Sequence, residues 1–134
     1  MPSLTCLTVR QPFATAIFHG KDIENRAGSF VRHFRGLLGI HSAKTCTQSY
    51  FSQAAQLVDI VMEYEKKPFR VPPMSELNFG CILGTVEVVD VIEIKTIFTS
   101  PWFQVRYGLV LSNPTLYETP IPYKGSLGFW TYSF

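Results

Sequence analysis

The stretch from residue 4 to residue 26 constrains the fold most, because it places one very short helix between two strands. Leu4–Val9 has the β-branched and apolar content of a strand, and Ile23–Asn25 supplies a return strand. Between them, Pro12 suits the first turn of a helix, and Gly20 suits the left-handed residue that ends one. The sequence therefore predicts a brief helix flanked by two strands.

Polar side chains lie at both ends of this predicted helix. Arg10 and Gln11 precede it, and Lys21, Glu24 and Arg26 follow its terminal glycine. In an extended segment Glu24 and Arg26 share one face, and the amine of Lys21 can swing over them from the turn. We expect these groups to meet at one mouth, open to water, if the two flanking strands pair on either side of the helix.

The rest of the chain predicts a single domain, residues 1–134, with several strands and one long helix. The length is enough to bury a sizeable core. A helix capped by Thr45 or Thr47 keeps its apolar residues on one face and stops at Lys66-Lys67-Pro68. Glycines interrupt the strand candidate Arg35–His41, which precedes this helix, and they suit a small closed barrel. The remaining strand candidates are Arg35–His41, Gly80–Ile94, Tyr107–Ser112, which ends in Asn113-Pro114, and Gly128–Tyr132.

The longest strand candidate, Gly80–Ile94, is apolar at both odd and even positions, which predicts a strand covered on both faces. Glu87 and Asp90 interrupt this pattern, and a carboxylate seldom lies inside a protein without a partner. Glu87 is therefore either part of a structural salt bridge or an edge position, or it is a carboxylate at the bottom of a pocket.

Composition excludes several classes of protein. The 46% hydrophobic content is too high for a disordered chain. The first residues lack a basic region followed by a long apolar run, and no segment approaches the ~20 apolar residues that span a bilayer. We expect a soluble cytoplasmic protein without membrane contacts.

Cysteine and histidine residues give no sign of a metal site or a cofactor. The three cysteines are odd in number and lack C-x-x-C spacing, so we expect free thiols that are buried or half-buried. The three histidines are scattered, and His41 is better explained as a hydrogen-bonded residue at a strand end than as a base. These residues are Cys6, Cys46, Cys81, His19, His33 and His41.

Charge is distributed unevenly along the chain. Residues 1–44 hold six basic and two acidic residues, whereas residues 45–99 hold four basic and seven acidic ones. This asymmetry fits a surface that attracts phosphate on one side, and it fits ordinary solvated charges as well.

Aromatic residues are frequent in the last third of the chain. They are interleaved with basic residues, as expected for a surface that stacks bases beside a phosphate track. Aromatic residues of a barrel also commonly belong to its core. The residues concerned are Trp102, Phe103, Tyr107, Tyr123 and Trp130, with Arg106 and Lys124 among them.

Five stretches of the chain form an ordered set: Leu7–Ala14, Gly20–Arg26, Arg35-Gly36 with Ile40–Lys44, Gly84–Val88 and Pro120–Gly125, and Tyr107–Leu111 fits too. In this order they resemble the ASCH domain family, which is related to the PUA RNA-binding domains. The resemblance spans essentially the whole chain. It implies an α+β fold, a PUA-like mixed β-barrel of about six strands flanked by two or more helices, with a cleft that recognises RNA or a modified nucleobase.

One branch of this family resembles small amidohydrolases that remove the acetyl group from acetylated cytidine, with a Lys, a Thr three residues later and a Glu on the long strand. By motif, Lys21 and Glu87 occupy the first and last positions, and Glu24 stands in place of the Thr. An ionised carboxylate can neither attack as a hydroxyl does nor donate to an oxyanion. Neighbouring carboxylates also favour a charged ammonium on Lys21, which would bind phosphate or polarise a carbonyl.

Three functions are consistent with these residues. The first is a module that binds RNA or a nucleotide, in which Gln11 and Glu24 read a base edge. Reversal of Lys21 or Arg26 to Glu is then expected to abolish RNA binding at a nearly unchanged melting temperature. The phosphate contacts of this hypothesis are Arg10, Lys21, Arg26 and Lys44.

The second function is a metal-independent hydrolase that acts on a modified nucleoside or, as a ribonuclease, on RNA. Its working residues would be Lys21, Glu24 and Glu87. The third is a protein-interaction domain, in which the aromatic third forms the partner surface and the charged motif is a buried ion-pair network.

Overall fold

The computed structural model describes residues 1–93, 100–103 and 106–134. Within them lie six strands, two α-helices and two short 3₁₀ turns, at Ser29–Val31 and Met74–Glu76. The elements, in chain order, are β1 (Ser3–Val9), α1 (Phe13–Ile17), β2 (Ile23–Arg26), β3 (Gly36–Ser42), α2 (Gln48–Tyr64), β4 (Cys81–Glu93), β5 (Tyr107–Pro122) and β6 (Phe129–Ser133).

The six strands form one mixed sheet in the order β2-β5-β4-β3-β1-β6, curled into a half-barrel. The β1 and β3 strands are parallel, and every other neighbouring pair is antiparallel. A parallel pair needs a crossover connection, and the chain makes it through α1 and β2. The α+β class and the mixed sheet of about six strands are therefore confirmed.

The short helix α1 lies between two buried clusters. Ala14 and Ile17 belong to the larger cluster, which consists mainly of strand residues, and Ala16 belongs to a second cluster with α2 and Trp102. These three residues of α1 are each at most 2% exposed. A helix of five residues has little stability of its own, so this two-sided burial holds it in place.

The long helix α2 agrees with its sequence pattern. The side chain of Thr47 caps it by accepting a hydrogen bond from the Tyr50 amide at 3.1 Å. Lys66, which has a left-handed φ of 58°, lies just beyond its end. Its buried face consists of Phe51, Ala54, Val58, Val61 and Met62.

Strand β5 is much longer than its sequence pattern predicts. The predicted end at Asn113-Pro114 is wrong, because β5 continues to Pro122. Pro114 has no N–H to donate, and Asn113 has a left-handed φ of 49°. Both lie in a bulge, since the register jumps from Glu87–Ser112 to Thr85–Thr115.

The predicted coverage of β4 on both faces holds only at its start, where Ile82–Gly84 are all buried. Glu87, Val89 and Asp90 are exposed, while Val86 and Val88 are buried in the core. Along residues 86–90 the sheet is covered on one face only. The sequence conceals this alternation of buried and exposed residues, because the exposed Val89 is itself apolar. The predicted strand end at Ile94 lies outside the described residues.

Strands β1 and β2 do not pair with each other, in contrast to the expected arrangement. Strand β2 lies at one edge of the sheet beside β5, and β1 lies between β3 and β6. The two strands still come close, because the Nη2 of Arg26 donates a hydrogen bond of 2.7 Å to the Thr8 carbonyl. Arg26 therefore connects the β2 edge to β1 across the mouth of the half-barrel.

The cysteines are free, as predicted. Cys6 is buried, and Cys46 and Cys81 are half-buried. Burial raises the pKa of the Cys6 thiol to about 11, which makes it a poor nucleophile near neutral pH. No helix in the described part of the chain combines the length and apolar character of a membrane span.

Candidate functional site

Two adjoining cavities open beside the mouth of the half-barrel. The small cavity has a volume of about 370 Å³, and the large cavity has a volume of about 1160 Å³. Arg10, which follows β1, and Arg26, which ends β2, line both of them. These two arginines therefore mark the boundary between the cavities.

Three charged side chains, which we call the charged floor, line the small cavity: Lys21, Glu24 and Arg26. The Nζ of Lys21 lies 2.9 Å from Oε1 of Glu24, and Nη2 of Arg26 lies 3.2 Å from Oε2. Lys21 also donates to the Ile23 carbonyl. The predicted meeting of these three groups is confirmed.

The charged floor is buried more deeply than the sequence suggested. Lys21 is 2% exposed and Glu24 is 7% exposed, so the expectation that they are open to water is wrong. The turn after α1 places them there. Gly20 has a φ of 122°, and the Lys21 amide donates to the Ala16 carbonyl at 3.0 Å. Removal of one partner from a charge pair at this depth leaves the other charge buried and unpaired, which lowers stability.

Aromatic rings form the walls of the small cavity. The Nζ of Lys21 lies 5.5 Å from the ring centre of Phe13 and 6.0 Å from that of Trp102. The Cζ of Arg10 lies 5.0 Å from the ring centre of Tyr50. Burial raises the pKa of Tyr50, and the neighbouring Arg10 partly opposes the shift. Rings and cations at these distances attract each other, so the walls and the charges are positioned together.

A second network fixes Trp102 in the wall. Its Nε1 donates to Oε1 of Glu65 at 2.9 Å, and Asn25 donates to its carbonyl at 2.7 Å. Oε1 of Glu65 also accepts from Lys67, which in turn donates to the Gly20 carbonyl at 2.6 Å. The end of α2 therefore connects the wall to the turn that positions Lys21.

The large cavity is lined by cations. Arg10, Arg26, Lys44 and Lys124 line it, and none of the carboxylates in the described part of the chain does. Tyr123 is 42% exposed at its edge, where its ring stacks on Trp130 with 5.5 Å between ring centres. Three of the six basic residues among residues 1–44 therefore line this cavity.

His41 lies at the base of the large cavity and holds the segment from residue 123 to residue 126. Its Nδ1 lies 3.0 Å from Oγ1 of Thr8, and its Nε2 lies 2.7 Å from the Tyr123 carbonyl. The Nε1 of Trp130 donates to the same Thr8 hydroxyl at 3.1 Å. Both ring nitrogens have partners, which confirms the prediction of a hydrogen-bonded histidine at a strand end.

We expect the free energy of unfolding to decrease as the pH is lowered below about 6.5. Burial lowers the pKa of His41 from 6.5, although the hydrogen bond to Tyr123 partly opposes the shift. The unfolded chain then binds more protons than the folded protein in this range, so stability rises with pH up to about 6.5. Urea unfolding at several pH values measures this slope.

The His41→Asn variant is the control, because His19 is also shifted downward and adds to the same slope. The variant should show a shallower dependence on pH. An identical slope in both proteins would contradict the assignment to His41.

Three residues that the sequence placed in the site lie elsewhere. Gln11 is fully buried and bonds through its side chain to Thr15 and to the Asn78 carbonyl, so it positions the start of α1. Tyr107 is 2% exposed in the core. Glu87 is exposed on β4, where it pairs in register with Leu37 and Ser112 and lines neither cavity.

The other predicted site residues do line a cavity. Trp102 is 1% exposed, so only the part of its ring that faces the small cavity can contact a ligand. Tyr123 and Lys124 border the large cavity. Sequence reasoning missed Phe13 and Tyr50 as walls, because both fit the apolar faces of their helices. The sequence pointed to them only indirectly, since Phe13 lies close to the charged motif and Tyr50 lies close to the cap of α2.

Comparison with family models and with curated proteins identifies no relative of this chain. A scan against protein-family models finds no match, and a search of curated proteins finds no similar sequence. Among the residues that the structure describes, no three His, Cys, Asp or Glu side chains gather as a metal site.

Proposed function

We propose that this chain is an ASCH-type, PUA-like module that binds single-stranded RNA or a nucleotide. The phosphates bind in the large cavity, and one base enters the small cavity. The observation that carries this proposal is the junction of the two cavities at Arg10 and Arg26. One ribose joins phosphate and base in every nucleotide, so a site for both needs a cationic compartment within a sugar's length of an aromatic one.

The large cavity supports the phosphate part of the proposal. Of the four cations that line it, Arg26 is paired with Glu24, and the remaining excess of positive charge creates a potential that attracts a polyanion. Lys44 and Lys124 are both exposed, so their ammonium groups can reach phosphate oxygens without loss of internal contacts. Such contacts give affinity without sequence preference.

The small cavity supports the base part. Its volume of about 370 Å³ lies at the low end of the ~300–1,000 Å³ that ligand sites occupy. Phe13, Tyr50 and Trp102 offer apolar ring surface, and the charged floor offers hydrogen bonds. The carboxylate of Glu24 opposes entry of a phosphate, which favours a neutral, planar group here.

The hydrolase hypothesis lacks its third group. Lys21 and Glu24 are in contact, but Glu87 is exposed on the outer part of β4 and lines neither cavity. The Lys21 amine also donates to Glu24 and to a backbone carbonyl, so it is held as an ion-pair partner. We therefore propose binding as the function and do not propose catalysis.

The test is charge reversal in the large cavity. The double variant Lys44→Glu, Lys124→Glu should weaken binding of a labelled single-stranded RNA at least about tenfold at low salt, as measured by fluorescence anisotropy. Its melting temperature should be nearly unchanged, because both side chains are exposed. In the wild type, log affinity should fall with log salt by about 0.7 for each phosphate neutralised, and less steeply in the variant.

Lys66→Glu is the matched control. It makes the same type of charge change at an exposed lysine that lines neither cavity. This variant should bind RNA like the wild type. A wild-type protein that binds neither RNA nor nucleotides at low salt would refute the proposal.

A further inference from the structure

The charged floor of the small cavity has alternating charge, in the order Lys21 ammonium, Glu24 carboxylate, Arg26 guanidinium. The two carboxylate oxygens contact different partners, since Oε1 lies 2.9 Å from Lys21 and Oε2 lies 3.2 Å from Arg26. The carboxylate is therefore held between two cations. All three residues line the small cavity, so its lining offers donor, acceptor and donor groups in this order.

Both cations have a hydrogen-bond donor left over. An ammonium has three N–H groups, and two of those on Lys21 are used by Glu24 and the Ile23 carbonyl. The Nε of Arg26 is buried and has no hydrogen-bond partner within the described ranges. Buried N–H groups are rarely left unpaired in folded proteins, so an acceptor from a ligand would complete this one.

The carboxylate of Glu24 retains capacity to accept. Two carboxylate oxygens provide about four lone-pair sites, and the cations on either side use one on each oxygen. A ligand donor placed between two ligand acceptors would therefore match the charged floor. A ligand with an acceptor at its centre would instead face the carboxylate lone pairs and be repelled.

From this pattern we infer that the small cavity selects the uracil ring. The edge of uracil carries O4 as an acceptor, N3–H as a donor and O2 as an acceptor, which is the complement of the charged floor. Cytosine and adenine have an unprotonated ring nitrogen at the central position. Guanine has a central N–H but places a second donor, its amino group, against a cation. This inference deepens the proposed function and rests on it.

The test compares ligands on the wild-type protein, so it does not depend on the stability of a variant. Short labelled single-stranded RNAs of identical sequence would carry uridine, 3-methyluridine or cytidine at one central position. The methyl group removes the N3–H donor and adds bulk on the same edge, whereas cytidine removes this donor without added bulk. Replacing uridine by either base should weaken binding about tenfold or more, because the Glu24 carboxylate then lies buried against a group that cannot donate.

The outcomes separate the two claims. No binding of any of the three RNAs refutes the proposed function, whereas equal binding of all three overturns only the selection of uracil. Competition by uridine monophosphate against the labelled RNA shows whether the site takes a base within a strand or a free nucleotide. Much weaker binding than that of the RNA supports a base within a strand, and equal affinity assigns the site to the free nucleotide.

The Arg26→Lys variant tests the same inference from the protein side. Lysine keeps the positive charge between the cavities but lacks the Nε donor. Binding of the uridine RNA should weaken, because one carbonyl oxygen of the base loses its donor, while the salt dependence of RNA binding should stay close to that of the wild type. Full affinity for the uridine RNA in a variant that melts like the wild type would argue against the role of Arg26.

Discussion

Gly84→Ala is expected to lower the free energy of unfolding by about 3 kcal/mol or more. A Cβ at Gly84 would lie 2.1 Å from the Thr115 carbonyl oxygen and 2.9 Å from the Leu116 Cα. Both atoms belong to the backbone of β5, which cannot rotate away as a side chain can. The strands would have to separate at the point where their register shifts on both sides. Urea unfolding followed by circular dichroism measures the loss.

Gly28→Ala is the matched control for this variant. A Cβ there would also come within 2.8 Å of another atom, but that atom belongs to the Phe30 ring, which is 51% exposed and can move. The backbone at Gly28 is extended, so alanine fits it. Its stability should change by less than about 0.5 kcal/mol. Similar losses in both variants would show that the β5 backbone adapts more easily than we expect.

Lys21→Ala is expected to lower the free energy of unfolding by about 3 kcal/mol. The substitution leaves the Glu24 carboxylate, 7% exposed, without its closest cation. It also removes the ammonium that packs against the rings of Phe13 and Trp102. The sequence predicted that reversal of Lys21 to Glu would leave the melting temperature nearly unchanged. Because Lys21 is buried, we now expect a change at this position to lower the melting temperature. Thermal melting and urea unfolding measure the change.

Arg70→Ala provides the comparison, because it breaks the exposed ion pair between Arg70 and Glu63. Exposed pairs contribute about 0–1 kcal/mol, so this variant should melt close to the wild type. The double variant Lys21→Ala, Glu24→Ala should lose less than the sum of its two single variants, since the stranded carboxylate is gone. An unchanged melting curve for Lys21→Ala would contradict the burial of the charged floor.

Local features of the fold could be predicted from patterns in the sequence. Gly20 ends α1 in a left-handed conformation, and the Thr47 side chain caps α2, because both features depend only on neighbouring residues. The meeting of Lys21, Glu24 and Arg26 followed from the period of an extended chain. Each of these predictions involves residues only a few positions apart.

Features that depend on distant residues could not be predicted. Asn113 and Pro114 ordinarily end a strand, and only the bulged pairing with β4 carries β5 past them. The face of β4 on which Glu87 lies depends on register with β3 and β5, which the apolar residues at both parities concealed. The depth of Lys21 results from the packing of Trp102 and α2, far along the chain.

Arg26 lines both cavities with one rigid guanidinium group. Its Nη2 contacts both Glu24 and the Thr8 carbonyl, so a shift toward one side weakens its bonds on the other. By thermodynamic linkage, an occupant of one compartment that moves this group alters affinity in the second compartment, and the reverse effect has the same factor. Nucleoside without phosphate and phosphate without nucleoside would then report on each other when titrated together.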